Sequence, residues 1–293
     1  MKKIKYFVRD ISRYILGRKN YTLLRFLLTH RYFPNLKYPR SFSEKIIYRK
    51  FSENSVSFSK FVDKYVVREF VGKRIGNEYL IPLLKVKNHI KPSDFDDLPN
   101  SFVIKTSNGG GGENVLIVEN KTLLNLLEVC DKFNGYLKIN VGKAVDEHFY
   151  DIEKPCILFE KLIKNNDGTY ISDYKIHIFN SDLNSKVFIQ VDSDRFSCHK
   201  RCIYNEDLTP ANFNIQPKYP KINENFQFPY DFHNLIKVAK NLASDFKYVR
   251  VDMYYVNGKI FFGEMTFCHG SGWEPISPKK YDFILGSYWD EYN

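Results

Sequence analysis

Four consecutive glycines, Gly109 to Gly112, stand between SFVIKT (101–106) and VLIV (115–118). Both flanks are rich in β-branched and aromatic residues and read as strands, so the glycines form the connection of a hairpin. Residues without a Cβ let backbone N–H groups approach and surround an anion such as a phosphate. The run lacks the Gly-Lys-Ser/Thr ending of a Walker A loop, and it is not a G-x-G-x-x-G that opens a helix. A bare glycine run also serves as a mobile hairpin tip. Lys105 shifts the balance, because it ends the strand before the loop, where an ammonium pairs with the same phosphates. Gly109, Gly110, Gly111, Gly112 and Lys105 are therefore a candidate phosphate site.

A second hairpin is predicted at YVRVDMYYV (248–256) and KIFFGEMTF (259–267), joined by Asn257-Gly258. Side chains alternate faces along a strand. Val249, Val251 and Met253 mark one face, and Arg250 and Asp252 mark the other. On the return strand Glu264 and Thr266 share a parity. Hard oxygen ligands of this kind suit magnesium bridging nucleotide phosphates, so Asp252, Glu264 and Thr266 are candidate metal ligands. The alternative is a surface salt bridge of Arg250 with Asp252 or Glu264. A strict two-residue turn would place Asp252 opposite Gly263 and turn the two carboxylates to opposite faces. A shared site thus requires a loop of odd length or a bulge.

FEKLI (159–163) ends a strand and enters a linker, a place where backbone reads an adenine edge. Asp173, before a strand, is either a ribose acceptor or a turn residue. QVDSDRFSCHKRCIY (190–204) packs Asp192, Asp194, Arg195, His199, Lys200 and Arg201 closely together, which reads as a substrate or phosphate pocket. Asp192-Ser193-Asp194 also has the D-x-D form of a glycosyltransferase metal site. His199 is a candidate general base or a structural histidine. Residues 205–230 form a long Asn- and Pro-containing loop.

Over 293 residues, 44 Lys+Arg against 34 Asp+Glu leave a net charge of +10, which favours anionic partners. The hydrophobic share of 43% excludes a disordered or fibrous chain. The five cysteines, an odd number, include no pair of pairs for zinc, so they read as reduced thiols of a cytoplasmic protein. The start, MKKIKYFVRDISRYILGRK, has no clean signal-peptide core and reads as a basic helix with Phe7, Ile11, Tyr14 and Ile15 along one side. Such a helix either packs on its own domain or touches the inner face of a membrane. Helices and strands mix without regular alternation, which gives an α+β class.

In order, Asp63-Lys64 on a helix, FVIKTSNGGGG, ILFEKLI, and RVD with E-x-T after a hairpin resemble the ATP-grasp superfamily. YPRSFSEKI, FVDKYVVREFV, EYLIPLL, DYKIHIFN, QVDSDRFSCHKR and FGEMTFCHGSG make the chain similar to the TupA-like ATP-grasp family from about residue 38 onward. The resemblance implies two α+β lobes clasping ATP. A basic helical segment (1–60) would precede a core (61–293) with a nucleotide lobe at about 101–180 and a metal and substrate lobe at about 181–293.

It also implies roles. Lys64 and Lys105 would contact the phosphates and Gly109–Gly112 would close over them. Glu160, Lys161, Leu162 and Ile163 would form the adenine hinge, with Asp173 near the ribose. Asp252 and Glu264 would hold magnesium, while Thr266 stands where the superfamily usually has Asn. Arg250 would steady a phosphorylated intermediate, and Lys200 or Arg201 would hold the terminal phosphate. The implied activity is an ATP- and Mg2+-dependent carboxylate–amine ligation through an acyl phosphate in bacterial surface-polysaccharide assembly, amidating a sugar acid. A glycosyltransferase using Asp192 and Asp194, or a non-catalytic basic module for anionic polymer, are the competing readings. No nucleic-acid motif supports the last.

Overall fold

The computed structural model describes residues 2–110, 112, 114–168, 171–182, 184–193, 199–222 and 226–292. Gly111, Asp194 and Arg195, singled out above, lie outside the described residues, as does Cys198, one of the five cysteines. The first sheet holds β1 (Leu83–Lys87), β2 (Phe102–Thr106), β3 (Val115–Val118) and β4 (Ile157–Lys161) in the order β1-β4-β2-β3, all antiparallel. Alternation sends Phe102, Ile104, Ile157 and Phe159 to one face. There they pack with Phe95, Val129 and Phe133, the last two from helix α5 (Leu126–Tyr136). The other parity carries Lys105 and Glu160.

The second sheet is built from β5 (Asp173–Asn180), β6 (Ser185–Ser193), β7 (Lys200–Asn205), β9 (Tyr248–Val256) and β10 (Lys259–Thr266), in the order β10-β9-β5-β6-β7. Its apolar face is covered by α7 (Phe232–Ala243), whose Leu235, Ile236, Ala239, Leu242 and Ala243 recur at helical spacing and are buried. Each fully buried Leu or Ile contributes about 1.5–3 kcal/mol. Strands β8 (Asn214–Ile215) and β11 (Ile276–Ser277) pair within and after the long loop.

Two expected boundaries move. A cut at 180 puts β5 in the nucleotide lobe, yet it lies at the centre of the second sheet, between β9 and β6. A strand's own residues do not name its partner. Nor is 1–60 a separate segment. Helix α2 (Phe42–Phe51) starts at a capping box, in which Ser41 Oγ accepts from the Glu44 N–H and Glu44 accepts from the Ser41 N–H. Its Phe42 and Ile46 join the core of the second sheet, and it packs against α8 (Lys280–Ser287). Helix α1 (Lys2–His30) is broken at Gly17, which has φ 73. Thr22, Phe26 and His30 of its second half are buried on the body, and His30 Nε2 lies 2.9 Å from the Gly272 carbonyl oxygen. Among the described residues no helix is long and apolar enough to cross a membrane.

Candidate active site

The hairpin of β9 and β10 settles the parity question. Asn257 and Gly258 form a two-residue turn with φ 51 and 80, and Val256 pairs with Lys259. Phe262 pairs with Met253, but Glu264 pairs with Asp252, so Gly263 is an extra residue. The bulge turns Glu264 and Thr266 onto the face of Asp252 and Arg250. A Cβ on Gly263 would meet the Asp252 carbonyl oxygen at 3.0 Å and the Tyr254 ring at 3.1 Å. The position therefore favours glycine by close approach.

Arg250 binds Asp252 through two N–H groups, at 2.6 and 2.8 Å, and donates to Glu264 at 3.1 Å. Thr266 Oγ1 donates to Glu264 at 3.4 Å. Burial pushes the Asp252 carboxyl up to about 6, against the pull of Arg250 and Lys175. Burial would also raise Glu264, but Lys64, Arg250 and Lys175 outweigh it and hold that carboxyl at about 2. Among the described residues no three metal-ligating side chains converge.

Lys64 connects the two sheets. The pattern FVDKYVVREFV predicts one helix through Asp63-Lys64. Instead they occupy the break between α3 (Ser59–Val62) and α4 (Val67–Arg74). The Asp63 carboxylate causes the break by accepting the N–H groups of Tyr65 and Val66 and the Ser107 hydroxyl. Lys64 N–H donates to the Ser107 carbonyl at 2.8 Å. Its ammonium donates to the Gly109 carbonyl and stands 3.5 Å from Glu264. The segment after α5 closes the other side of the loop, where Val141 of α6 (Val141–Val145) lies 3.5 Å from a Cβ built on Gly109. Gly109 and Gly112 have φ of 80 and 79, and Gly110 faces open space.

Lys105 pairs with Glu160 at 2.7 Å, and Arg68 stands 3.7 Å from the same carboxylate. Lys161 ends β4 with an exposed side chain, and Leu162 and Ile163 follow as partly buried linker residues. That linker docks on the second sheet, where Asn257 donates to the Lys164 carbonyl and accepts from the Asn166 N–H.

The structure adds residues that the sequence left without a role. Lys175 is buried, bonds Asp173, and lies 3.6 Å from Asp252 and 3.7 Å from Asp192. Tyr254 is held protonated by burial and then by Asp173, Glu264, Asp252 and Glu160 around it. Arg250 also donates to His269 Nδ1 at 3.0 Å, and His269 Nε2 donates to Glu274 at 3.1 Å. The usable signal was alternation. DYKIHIF places Asp173, Lys175 and His177 on one parity and Tyr174, Ile176 and Ile178 on the other.

Of the 190–204 cluster, Asp192 is enclosed. It accepts from Gln190 at 2.8 Å, His199 at 2.9 Å and Arg201 at 2.6 Å. Burial opposes its ionisation, but Arg201 and Lys175 hold it well below the usual carboxylate range. That commitment leaves it poorly suited to a D-x-D metal. Arg201 reaches on to Glu274 at 2.7 Å, whereas Lys200 takes the opposite parity of β7. His199 lies 4.0 Å from the Tyr219 ring, centre to centre. Cys130, Cys156, Cys202 and Cys268 are free thiols, and burial raises Cys156 to about 11.

A D-alanine–D-alanine ligase from Helicobacter pylori is 15% identical, with 80% of this chain and 60% of that one covered and a TM-score of 0.45. For the ATP-grasp ligase PsnB bound to a precursor variant, Mg and ADP, the values are 11%, 80%, 60% and 0.40. For a phosphoribosylamine–glycine ligase from Thermotoga maritima they are 12%, 75%, 52% and 0.41. The chain thus spans 52–60% of the length of these solved proteins. No curated protein matches it. The model of the family described as TupA-like ATPgrasp matches residues 44–290, which takes in Lys64, the glycine run, the linker after β4 and the bulged hairpin. The chain belongs to the TupA-like ATP-grasp family.

Proposed function

We propose that this protein is an ATP- and magnesium-dependent ligase that joins a carboxylate to an amine through an acyl phosphate. The observation that carries the reading is Lys64. One ammonium touches the glycine loop at Gly109 and stands beside Glu264, so loop and carboxylates lie one side chain apart. Nucleotide phosphates fit there, with Lys64, Lys105 and Lys175 as cations and Gly109–Gly112 as the covering backbone. Glu160 to Ile163 would take the adenine, and Asp173 the ribose. Asp252 and Glu264 are two hard oxygen donors side by side, and they fit Mg2+ when phosphate oxygens complete its shell. When bound, the metal supplies neutralisation of charge on the transferring phosphoryl group. Arg250 would steady the activated carboxylate, and Arg201 would hold the terminal phosphate.

For substrates we propose a sugar-acid carboxylate and an amine or amino acid, in assembly of a bacterial surface polysaccharide. The net charge of +10 suits an acidic glycan. We place the reaction in the cytoplasm, where ATP is supplied and thiols stay reduced.

The test uses hydroxylamine, a small nucleophile that replaces the natural amine. With ATP, magnesium and a panel of uronic acids, the protein should form a hydroxamate together with ADP. The signal should vanish in Glu264→Gln and without the carboxylate. Turnover of a nucleotide sugar with no ATP requirement would overturn the ligase reading.

A further inference from the structure

Helix α1 is amphipathic in the reverse of the usual sense. Four of its arginines turn toward the body. Arg9 donates to the Ala144 carbonyl at 2.6 Å, Arg13 and Arg18 bind Asp146, and Arg25 stacks on Trp273 at 4.0 Å. Six of its apolar side chains turn away, on the side opposite the buried Phe26. Tyr14 is 91% exposed, Ile15 72% and Leu28 58%, and Ile11, Leu24 and Leu27 are exposed beside them. Within each half these residues follow i, i+3, i+4 spacing, as 11, 14, 15 and 24, 27, 28, opposite the residues that contact the body.

On an unbroken helix, stripes thirteen residues apart would be turned about 220° from each other. The break at Gly17 resets that phase, so each half keeps its own apolar side outward. Gly17 holds φ 73, which side-chain-bearing residues rarely adopt, and a Cβ there would meet nothing within 4 Å. Its conformation, not crowding, calls for glycine.

Charge decides what covers this face. Residues 1–31 carry nine Lys or Arg and one Asp, a net of +8 within a chain total of +10. A second copy would bring two such surfaces together. An anionic bilayer offers the opposite sign, and a basic helix with Leu, Ile and Tyr on its outer side is the form that lies in the interface plane. Next to the helix, Arg13, Arg18, Lys143 and His148, with Asp146 and Asp151, line a depression of about 540 Å³.

We infer that α1 is a monotopic anchor that lays the protein on an anionic membrane surface, with Ile11, Tyr14, Ile15, Leu24, Leu27 and Leu28 at the boundary of headgroups and acyl chains. The surface stands whichever reaction the cleft carries out.

The full chain is floated with phosphatidylcholine vesicles, with or without about a third phosphatidylglycerol. Binding should require the anionic lipid and weaken as salt is raised. The double variant Ile15→Asp, Leu28→Asp changes two outward residues, so circular dichroism should stay the same. Its vesicle partition should fall at least about tenfold, because it removes apolar area from the lipid side. Tyr14→Ser, at the most exposed of these sites, should give a smaller loss and serves if the double variant misfolds. Three outcomes overturn the inference: no binding to anionic vesicles, equal binding by wild type and variants, or a concentration-dependent dimer in sedimentation that the double variant dissolves while lipid binding is absent. The last would assign the face to a second copy.

Discussion

The two faces of the five-stranded sheet are made by the same strands and are both buried, yet they do opposite work. One face presents Ile176, Ile178, Ile189, Val249, Val251 and Met253 to α7 and the surrounding core. Removing that surface from water is favourable at roughly 25 cal/mol per Å². The other face holds Lys175, His177, Asp192, Arg201, Arg250 and Asp252, all buried. Desolvating such groups costs several kcal/mol per ion, and pairing offsets the cost only where geometry is good. Here the pairing is dense, from Asp192–Arg201 through Arg201–Glu274 to Arg250–Asp252. Burial also lowers His269 below the ordinary histidine value and pushes His177 well below it, which disfavours further charge on this face. One face supplies stability, and the other spends part of it to hold cations and carboxylates in fixed positions.

The comparison breaks most directly at neighbouring residues of opposite parity. Met253→Ala removes a fully buried side chain from the apolar face and should cost about 2–5 kcal/mol of stability. That loss should appear as a lower denaturant midpoint, while nucleotide affinity of the folded protein stays unchanged. Glu264→Gln keeps shape and removes charge on the polar face. ATP turnover should fall about 10²–10³-fold, the range seen when one electrostatic partner of a reacting centre is lost. The melting temperature should also fall at neutral pH, because Lys64, Arg250 and Lys175 stabilise this carboxylate, but turnover should be the more sensitive readout. The division between the faces fails if Met253→Ala weakens nucleotide binding, or if Glu264→Gln unfolds the protein without touching turnover in what remains folded.

The next prediction sharpens the claim that buried charge is a cost. Glu147 lies buried beside the polar face, accepts from Ser271, and is pushed up to about 7 by burial despite the opposing charge of Lys50. Its folded value lies above the ordinary 4.5. Its contribution to stability is thus fully present below about 4.5 and is lost as pH rises through about 7. Asp252, also raised, has the same sign. Glu264 is depressed to about 2, so its contribution is present above 4.5 and lost as pH falls through 2, a separate window. Since one pKa unit is about 1.4 kcal/mol, Glu147→Gln should flatten the fall in stability between pH 4.5 and 7 by on the order of 1–3 kcal/mol. Denaturant titrations at several pH values measure it. An unchanged slope would mean that Glu147 is stabilised by its surroundings rather than burdened by them.

Much of this division is local and can be read along the chain. The two hairpins follow from β-rich runs around a glycine loop and an Asn-Gly turn, and the parity of Arg250 and Asp252 follows from alternation. What is not local cannot be read that way. DYKIHIF reads equally well as a strand with one wet face; only pairing with β6 and β9 puts Lys175 among three aspartates. Lys64 reaches the glycine loop because Asp63 stops one helix and starts another, a capping event hidden inside an apolar period that fits one continuous helix. Glu274 lies beyond the last predicted strand, and only the folded chain returns it to Arg201 and His269.

The smallest expected change in stability tests the device that makes the polar face work. Gly263 is the extra residue that turns Glu264 to Asp252. In Gly263→Ala the new methyl meets the Asp252 carbonyl and the Tyr254 ring at 3.0 and 3.1 Å, closer than ordinary van der Waals contact. Overpacking of this kind costs about 1–3 kcal/mol. Alanine recovers part of that, about 0.5–1 kcal/mol, because glycine loses more backbone freedom on folding. The net loss should therefore stay under about 2.5 kcal/mol. Its consequence for chemistry should be larger, since the strain falls on the carbonyl of Asp252 and on the ring of Tyr254. Relief by even a small shift re-aims the carboxylates, and misplacement by 1 Å near a reacting centre costs about 10²-fold in rate. ATP turnover should thus drop far more than the melting temperature, the reverse of Met253→Ala ten positions earlier. If turnover and stability fall together in proportion, the bulge is only a packing feature and the shared face of Asp252 and Glu264 does not depend on it.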